Sequence, residues 1–518
     1  MVQVLKFDLT KYKFALLINK KKMYFKTTLL YTFFFAFFLS GCKKWDDHTK
    51  PLTQDLSKNL SEEISQRSNL SKFYEYLGKT GLDKELASSK TYTVWAPTND
   101  ALQSLDPATA SDSAKLRVFL SNHIALGSYF IRNAQPAARV AMLNGKRVSF
   151  SQNKFDEATI TEADKYVGNG VLHIIDKMAP VYTNAWELLN NTKGTYQQSA
   201  YILSLTKKVF DPTNAVIDSI SSTTGQPVYH PGTDSVLRNT FNTEVYDLQD
   251  ESKLYTYFIL NNTGFSSEIQ KLTPYFKTST PDSTNNLSSF GVVKDLIVEG
   301  LYTIDQLPPV LTSKFGVKIP IDKSKIIETR KMSNGIAYVF SGINFDVKEK
   351  IPAVIVQGEN YRGFFDANGT EVSPRQNNTS AVFVRSRLNP NTGKLFTDMF
   401  SYGHGISALS AQYQVTRLPS VKYKVYWVAV NDTLIVYNRI NPVTFNQRLA
   451  MGVRTTNYLP ATPTTGMAVT PNNYNEVYLG DYVQSSYGTL NMFLTANAST
   501  GAGTNSLNLD YIKLVPDL

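Results

Sequence analysis

Cysteine is nearly missing from this chain. Cys42 is the only one in 518 residues, which excludes an internal disulfide and any metal site built on several thiolates. Histidine is scarce as well. Residues His48, His123, His173, His230 and His404 are scattered, with no His-x-x-x-His pair and no His/Asp cluster at metal-ligand spacing. No Gly-rich phosphate loop and no Gly-x-Ser-x-Gly elbow occurs. The carboxylate pairs Asp46-Asp47 and Glu62-Glu63 stand in a polar tether and at a helix start, where solvation or the helix dipole accounts for them. Charged residues make up only 19% of the chain. No Lys/Arg cluster is interleaved with stacking aromatics, so nucleic acid is not an expected partner. These absences point away from an enzyme and from any metal or cofactor.

What charge there is concentrates at the start. The first 41 residues carry seven lysines and one aspartate, so six of the ten net positive charges lie there and four remain beyond. Lys20, Lys21, Lys22 and Lys26 precede a continuous apolar run from Leu29 to Leu39. That run falls short of the ~20 residues needed to span a bilayer. A basic region, a short apolar core and small residues describe a secretory signal. Met23 is an alternative start. Ending in Leu39-Ser40-Gly41-Cys42, the segment resembles a bacterial lipobox. The resemblance implies cleavage before Cys42, acylation of that thiol, and a lipid bilayer as partner. Lys43-Lys44-Trp45-Asp46-Asp47 is similar to tags that export some lipoproteins to the outer face of the outer membrane; a plain charged tether is the alternative. The expected location is the cell outer membrane, lipid-anchored and facing outward.

Thr91-Tyr-Thr-Val-Trp-Ala-Pro-Thr-Asn-Asp-Ala-Leu102 reads as a strand, a Pro-opened turn and a short helix. Tyr92, Val94 and Ala96 alternate as a pleat requires, Pro97 stops the strand, and Thr98 or Asn99 can cap the next turn ahead of Asp100. Helical stripes flank it: Leu70, Phe73, Tyr74 and Leu77, ended by Gly78 and Gly81, then Leu116, Phe119, Leu120, His123 and Ile124. Asn169-Gly170-Val-Leu-His173-Ile-Ile-Asp176 reads as a Gly turn feeding a buried strand. Together the two motifs resemble those of the fasciclin (FAS1) domain family, which implies an extracellular adhesion or matrix-binding module. In that family a Tyr-His or similar pair stands where Asn122-His123 stands here. Both His123 and His173 read as hydrogen-bonded core residues rather than catalytic ones.

A second copy follows. Tyr255–Phe265 aligns without gaps on Tyr92–Leu102, and Asn334–Phe340 on Asn169–Ile175. The interval from Tyr92 to Asn169 is 77 residues and that from Tyr255 to Asn334 is 79. Between them Gly300-Leu301-Tyr302 matches Gly127-Ser128-Tyr129, and Leu296 takes the place of His123. Equal spacing with matched landmarks is what tandem duplication predicts. The copy has diverged: Leu260 replaces Pro97, Asn261 replaces Thr98, Thr263 replaces Asp100, and a Ser/Thr/Pro-rich insert (Asp211–Asn239) precedes the motif. It reads as a degenerate FAS1 domain, either a spacer or a module that binds something else.

After Lys350 helical stripes give way to short alternating runs: 381–384, 423–430, 433–437, 476–479, 490–494 and 506–514, with Asn431-Asp432 fitting a tight hairpin turn. Such runs predict a β-sandwich. The closing Leu509–Pro516 resembles the last strand of galactose-binding-like jelly rolls, including carbohydrate-binding modules. Sugar rings stack on aromatics while amides and carboxylates read hydroxyls. The candidate ligand residues are therefore Tyr361, Tyr402, His404, Trp427 and Tyr482. Trp427, mid-strand, fits a core position better, whereas Tyr402, beside Gly403 and His404, reads as a surface-loop residue. Gly403-His404-Gly405 reads either as a loop presenting an imidazole or as a plain strand connection.

The expected class is α+β: a leader (1–41), a tether (42–53), tandem FAS1 domains (54–182 and 183–349) and an all-β sandwich (350–518). The resemblances imply a surface-anchored protein that adheres to extracellular matrix protein or polysaccharide through its FAS1 domains. The alternative is an accessory glycan-binding protein of a nutrient-capture system, with recognition by the sandwich.

Overall fold

A computed structural model describes residues 56–518 apart from 135, 377–378, 433–441 and 502. The leader, Cys42, the charged tag and the expected strand at 433–437 lie outside the described residues. The chain divides into two compact units, one ending at Val181 and one running from Tyr182 to Leu518.

In the first unit seven strands form one sheet: β1 (Tyr92–Pro97), β2 (Ile124–Leu126), β3 (Ala138–Ala141), β4 (Arg147–Phe150), β5 (Lys154–Phe155), β6 (Ala158–Val167) and β7 (Gly170–Ile175), in the order β2-β1-β7-β6-β5-β4-β3. The two sequence motifs meet here. β1 and β7 are parallel and pair from Tyr92↔Gly170 to Pro97↔Ile175. All six β1 residues are buried, so the pleat alternation does not separate core from solvent. Tyr92, Val94 and Ala96 face the helices, with Leu70, Phe73, Leu116 and Leu120. Trp95 faces the other way, into Val140, Phe150, Phe155 and Ile175. One strand thus serves two cores.

Two helix limits differ from the sequence reading. Ser71–Thr80 runs through Gly78 and stops at Gly81, whose φ of 73° sets the left-handed cap. Ser113–Ser121 is capped by Asp112 and ends before His123 and Ile124. Those two residues continue the apolar stripe because the chain passes directly from helix into β2.

The second unit begins with helices Ala185–Thr192 and Gln197–Ser204. The Ser/Thr/Pro-rich insert is a two-stranded ribbon: β8 (Thr206–Phe210) pairs with β11 (Ser235–Asn239), and β9 (Ile217–Ile220) with β10 (Pro227–Tyr229). Next come β12 (Tyr255–Leu260), β13 (Ile297–Glu299), a separate hairpin of β14 (Val310–Thr312) and β15 (Lys318–Pro320), β16 (Ile326–Met332) and β17 (Gly335–Phe340). The order β13-β12-β17-β16 matches β2-β1-β7-β6. β12 and β17 are parallel, in register from Tyr255↔Gly335 to Leu260↔Phe340. Each aligned strand residue, 92–97 with 255–260 and 170–175 with 335–340, therefore occupies the same place in the sheet.

From Val354 the unit is all β. Val354–Gln357, Tyr511–Pro516, Lys422–Val428 and Val477–Val483 form one sheet, in that order. A larger sheet is built around Ser410–Leu418, Gly488–Ala496 and Phe445–Met451. One core joins them, with Tyr423, Val425, Trp427, Ile512 and Leu514 from the first and Tyr413, Leu449, Leu490, Met492 and Leu494 from the second. A third sheet pairs Val382–Leu388, Leu395–Tyr402 and Ser506–Leu509. The expected strand 506–514 breaks at Asp510, where the chain passes from one sheet to another.

Candidate functional site

The motif residues of the first unit hold strands and helices together. The Asn169 side chain accepts from Leu60 N (2.7 Å) and donates to Leu86 O (2.7 Å) and Ser88 O (2.8 Å). Asn334 does the same in the second unit, accepting from Ala185 N (2.9 Å) and donating to Leu248 O (3.0 Å) and Asp250 O (3.3 Å). Asn99 accepts from Lys72 N and donates to Ser68 O, tying the turn to the start of another helix. Asn262 does so at Gln197 and Thr195. Thr98 accepts from Ala101 N at 3.3 Å, closing its own turn, and Asp100 accepts from the Gln103 side chain.

Both motif histidines are core residues. His123 is fully buried; its Nδ1 donates to Phe119 O and its Nε2 accepts from Ala179 N, each at 3.0 Å. Burial pushes its pKa down to about 4. His173 stacks on Trp95, accepts from Asp164 N on Nδ1 and donates to Tyr129 O from Nε2. Burial lowers its pKa too. Neither ring reaches solvent, so neither is available for proton transfer.

The sandwich candidates separate sharply. Trp427 is 1% exposed and sits in the core, leaving no ring face for a sugar. Tyr402 ends a strand paired with Ser506, stacks on Phe400 and is also buried, contrary to the surface loop expected for it. Gly403 and Gly405 do form a tight connection, with φ of 66° and 64°. It turns His404 inward, 3% exposed, with Nδ1 accepting from Ile406 N and burial pushing the pKa down to about 4. Tyr482 is half-buried and donates to Gln484.

Tyr361 opens on a cleft. This hollow, about 590 Å³, lies between Val354–Gln357, the loop 359–362 and residues 414–416. Val354–Gln357 is an edge strand, and beyond Gln412 the strand Ser410–Leu418 is paired on one side only. Two unpaired backbone edges therefore border the hollow. The half-buried Tyr361 ring rests against Phe364 at 4.8 Å. Exposed Arg362 donates to the Gln414 side chain at 3.3 Å, and Gln414 donates in turn to Asn491 at 3.0 Å. Gln357, Asn360 and Glu359 complete the polar wall. Sequence reasoning found Tyr361 by its aromatic character; Arg362 and Gln414 carried no local signal because only the fold brings them together.

An ionic network beside the third sheet was also invisible in the sequence. Arg385 and Arg387, alternate residues on one strand face, both donate to buried Asp398. Arg387 also donates to Asp432, which accepts from the Tyr474 hydroxyl, while Asn508 donates to Asp398. Asp510 has its pKa raised to about 7, by burial first and then by the charges of Asp398 and Glu359. Among the described residues no three His, Cys, Asp or Glu side chains converge in a way that could hold a metal ion.

Residues 68–179 match the family model of the fasciclin domain. Over 107 residues the chain is 32% identical to Protein sll1483 of Synechocystis sp., covering 19% of this chain and 59% of that protein. The chain thus spans about three-fifths of the curated relative it matches. Among solved structures, a FAS1 domain pair from the insect cell adhesion molecule Fasciclin I is 20% identical. That likeness covers 55% of this chain and 99% of the pair, with a TM-score of 0.22. The CBM36-1 domain of a multidomain xylanase from the hindgut metagenome of Trinervitermes trinervoides is 15% identical, covering 32% of this chain and 96% of that domain, with a TM-score of 0.20. The first unit contains a fasciclin domain, and a β-rich region closes the chain.

Proposed function

We propose that this is a non-catalytic, lipid-anchored surface protein that adheres to polysaccharide, with its closing β-sandwich as the recognising part. The cleft beside Tyr361 carries this reading. A tyrosine ring offers a stacking face to the C–H side of a sugar, while Arg362, Gln414, Asn360 and two unpaired strand edges offer donors and acceptors for hydroxyls. The fasciclin domain, of a family associated with adhesion, agrees with it. The matched order and register around β12 and β17 support reading residues 183–349 as a second, diverged fasciclin domain acting as a spacer. The packing of first strand against last in the sandwich is consistent with a galactose-binding-like jelly roll.

Glycan-array binding of the full chain, compared with Tyr361→Ala and Arg362→Ala, tests the reading. Each substitution should weaken binding about tenfold, from a lost stacking face of roughly 1 kcal/mol and lost hydroxyl contacts. Unchanged binding would move recognition elsewhere, and turnover of any glycan would make the protein an enzyme. Protease shaving of intact cells tests the outward anchor at Cys42, since a protected chain would face the periplasm.

A second reading rests on the fasciclin domain itself. Leu105, Thr109, Ala114, Val118 and Phe119 border a surface hollow of about 490 Å³, with Val118 48% exposed. An apolar hollow of this kind suits a matrix protein. Binding to a matrix protein that is lost in Val118→Asp but kept in Tyr361→Ala would favour it.

A further inference from the structure

We propose that Lys350 and Asp295 close an intramolecular amide, bonding Lys350 Nζ to Asp295 Cγ with loss of one water. Asp295 follows the helix Pro281–Val293, and Lys350 ends the helix Val347–Lys350. Nζ lies 2.7 Å from Asp295 Oδ2, with side chains 2% and 0% exposed. That puts the nitrogen roughly 3.5 Å from Cγ, a near-attack separation. A buried ion pair adds little stability over apolar residues of the same volume, so stability alone does not account for this one.

The surroundings are those an acyl transfer needs. Nζ packs 3.9 Å from the centre of the Phe345 ring and donates to Gly291 O at 2.9 Å, which fixes its direction. Burial pushes the amine down to about 8, against the pull of Asp295 and Glu268 and with the charge of Lys294 adding to the fall. It therefore gives up a proton readily and becomes a nucleophile. Ser313 Oγ accepts from Phe315 N at 3.2 Å and Val317 N at 3.3 Å. Its own proton is thereby aimed at Asp295 Oδ1, 2.6 Å away. That hydroxyl is a donor preset for the negative charge that gathers on Oδ1 during attack.

The step balances without another reactant. Nζ passes one proton to Oδ2 along their hydrogen bond, and its lone pair attacks Cγ while the carbonyl pair moves to Oδ1. A second proton follows from nitrogen to Oδ2, the carbonyl re-forms, and Oδ2 departs as water. The third proton stays on the amide nitrogen, still donating to Gly291 O. Before closure the two groups are an ordinary buried ion pair. After it, β13 to β17 lie within a closed loop that survives unfolding.

Peptide mapping by mass spectrometry of the full chain, denatured and digested with trypsin, tests this. The expected product is a branched pair: a peptide containing Asp295 joined to one containing Lys350, lighter than the two together by one water and uncut after Lys350. In denaturing electrophoresis the chain should run ahead of Lys350→Met, whose loop stays open. Asp295→Ala should give no branched pair. Ser313→Ala keeps both reacting groups. Its bridged fraction, followed with time after synthesis, should grow about a hundredfold more slowly for one lost oxyanion donor. A wild-type digest cut throughout after Lys350, with Asp295 in a linear peptide of full mass, overturns the proposal whatever the variants do. So does a lost water that maps to any other pair of residues.

Discussion

At Gly170 and Gly335 a hydrogen stands where any side chain would strike a carbonyl. A Cβ would lie 1.9 Å from Tyr92 O at Gly170 and 1.9 Å from Tyr255 O at Gly335, at φ of 156° and 146°. The parallel pairing of each unit rests on that close approach. Gly170→Ala and Gly335→Ala should each cost roughly 3 kcal/mol or more in urea unfolding, or abolish folding. Gly145→Ala, strained at φ 83° but in open space, should cost about 1 kcal/mol. His123 supplies a residue-scale pH effect. Its folded pKa, about 4, lies below the ordinary 6.5. The unfolded chain therefore takes up a proton first as pH falls. Stability of the first unit should drop between pH 6.5 and 4, by at most roughly 3 kcal/mol. His123→Leu, the residue that Leu296 already supplies in the second unit, should reduce that slope to the part His173 supplies, while lowering stability at neutral pH by about 1–3 kcal/mol for two abandoned hydrogen bonds.

Among elements, the short helix Val347–Lys350 depends on one buried ion pair. Lys350 Nζ meets Asp295 at 2.7 Å, with side chains 2% and 0% exposed, and also donates to Gly291 O. Burial lowers the lysine to about 8 despite that partner. Removing one partner alone, as in Lys350→Met, should cost about 3–5 kcal/mol in chemical unfolding; pairing it with Asp295→Leu should cost less than the two singles summed. Elements were legible where the pattern was local. The strands at 92–97, 170–175, 255–260 and 335–340 stood out as apolar runs, and equal spacing revealed their repetition. Their parallel pairing did not show, because adjacency in a sheet is a long-range property. Ser410–Leu418 went unread although Ala411, Tyr413 and Val415 alternate with Gln412, Gln414 and Thr416 at the period of a strand, and this strand builds half of the cleft. The insert 211–239 looked like a polar loop because its apolar residues face solvent on both sides. Tyr402 misled through its neighbours: two glycines announced a loop, yet the residue before them still belongs to a strand.

At the scale of the whole molecule, the two units should answer acid differently. In the second unit two buried groups oppose one another. His404, held down to about 4, loses stability as pH falls from 6.5. Asp510, raised to about 7, is destabilising once ionised, so its contribution is present at low pH and lost as pH rises through 7. Calorimetry between pH 5 and 7 should thus find the first unit's transition falling with acid and the second's nearly constant. Asp510→Asn should leave His404 uncompensated and give the second transition a slope of the same sign as the first. The cleft has a consequence of another kind. It is built on the first strand of the sandwich, Val354–Gln357, and on the loop that follows it. Were the chain anchored near its start, as proposed above, tension from a ligand seated there would enter the module at 350 and leave it by 362. The load carried by Tyr361 and Arg362 would travel along that one stretch, sheared against Tyr511–Pro516, and only the share carried by Gln414 would enter the strand Ser410–Leu418.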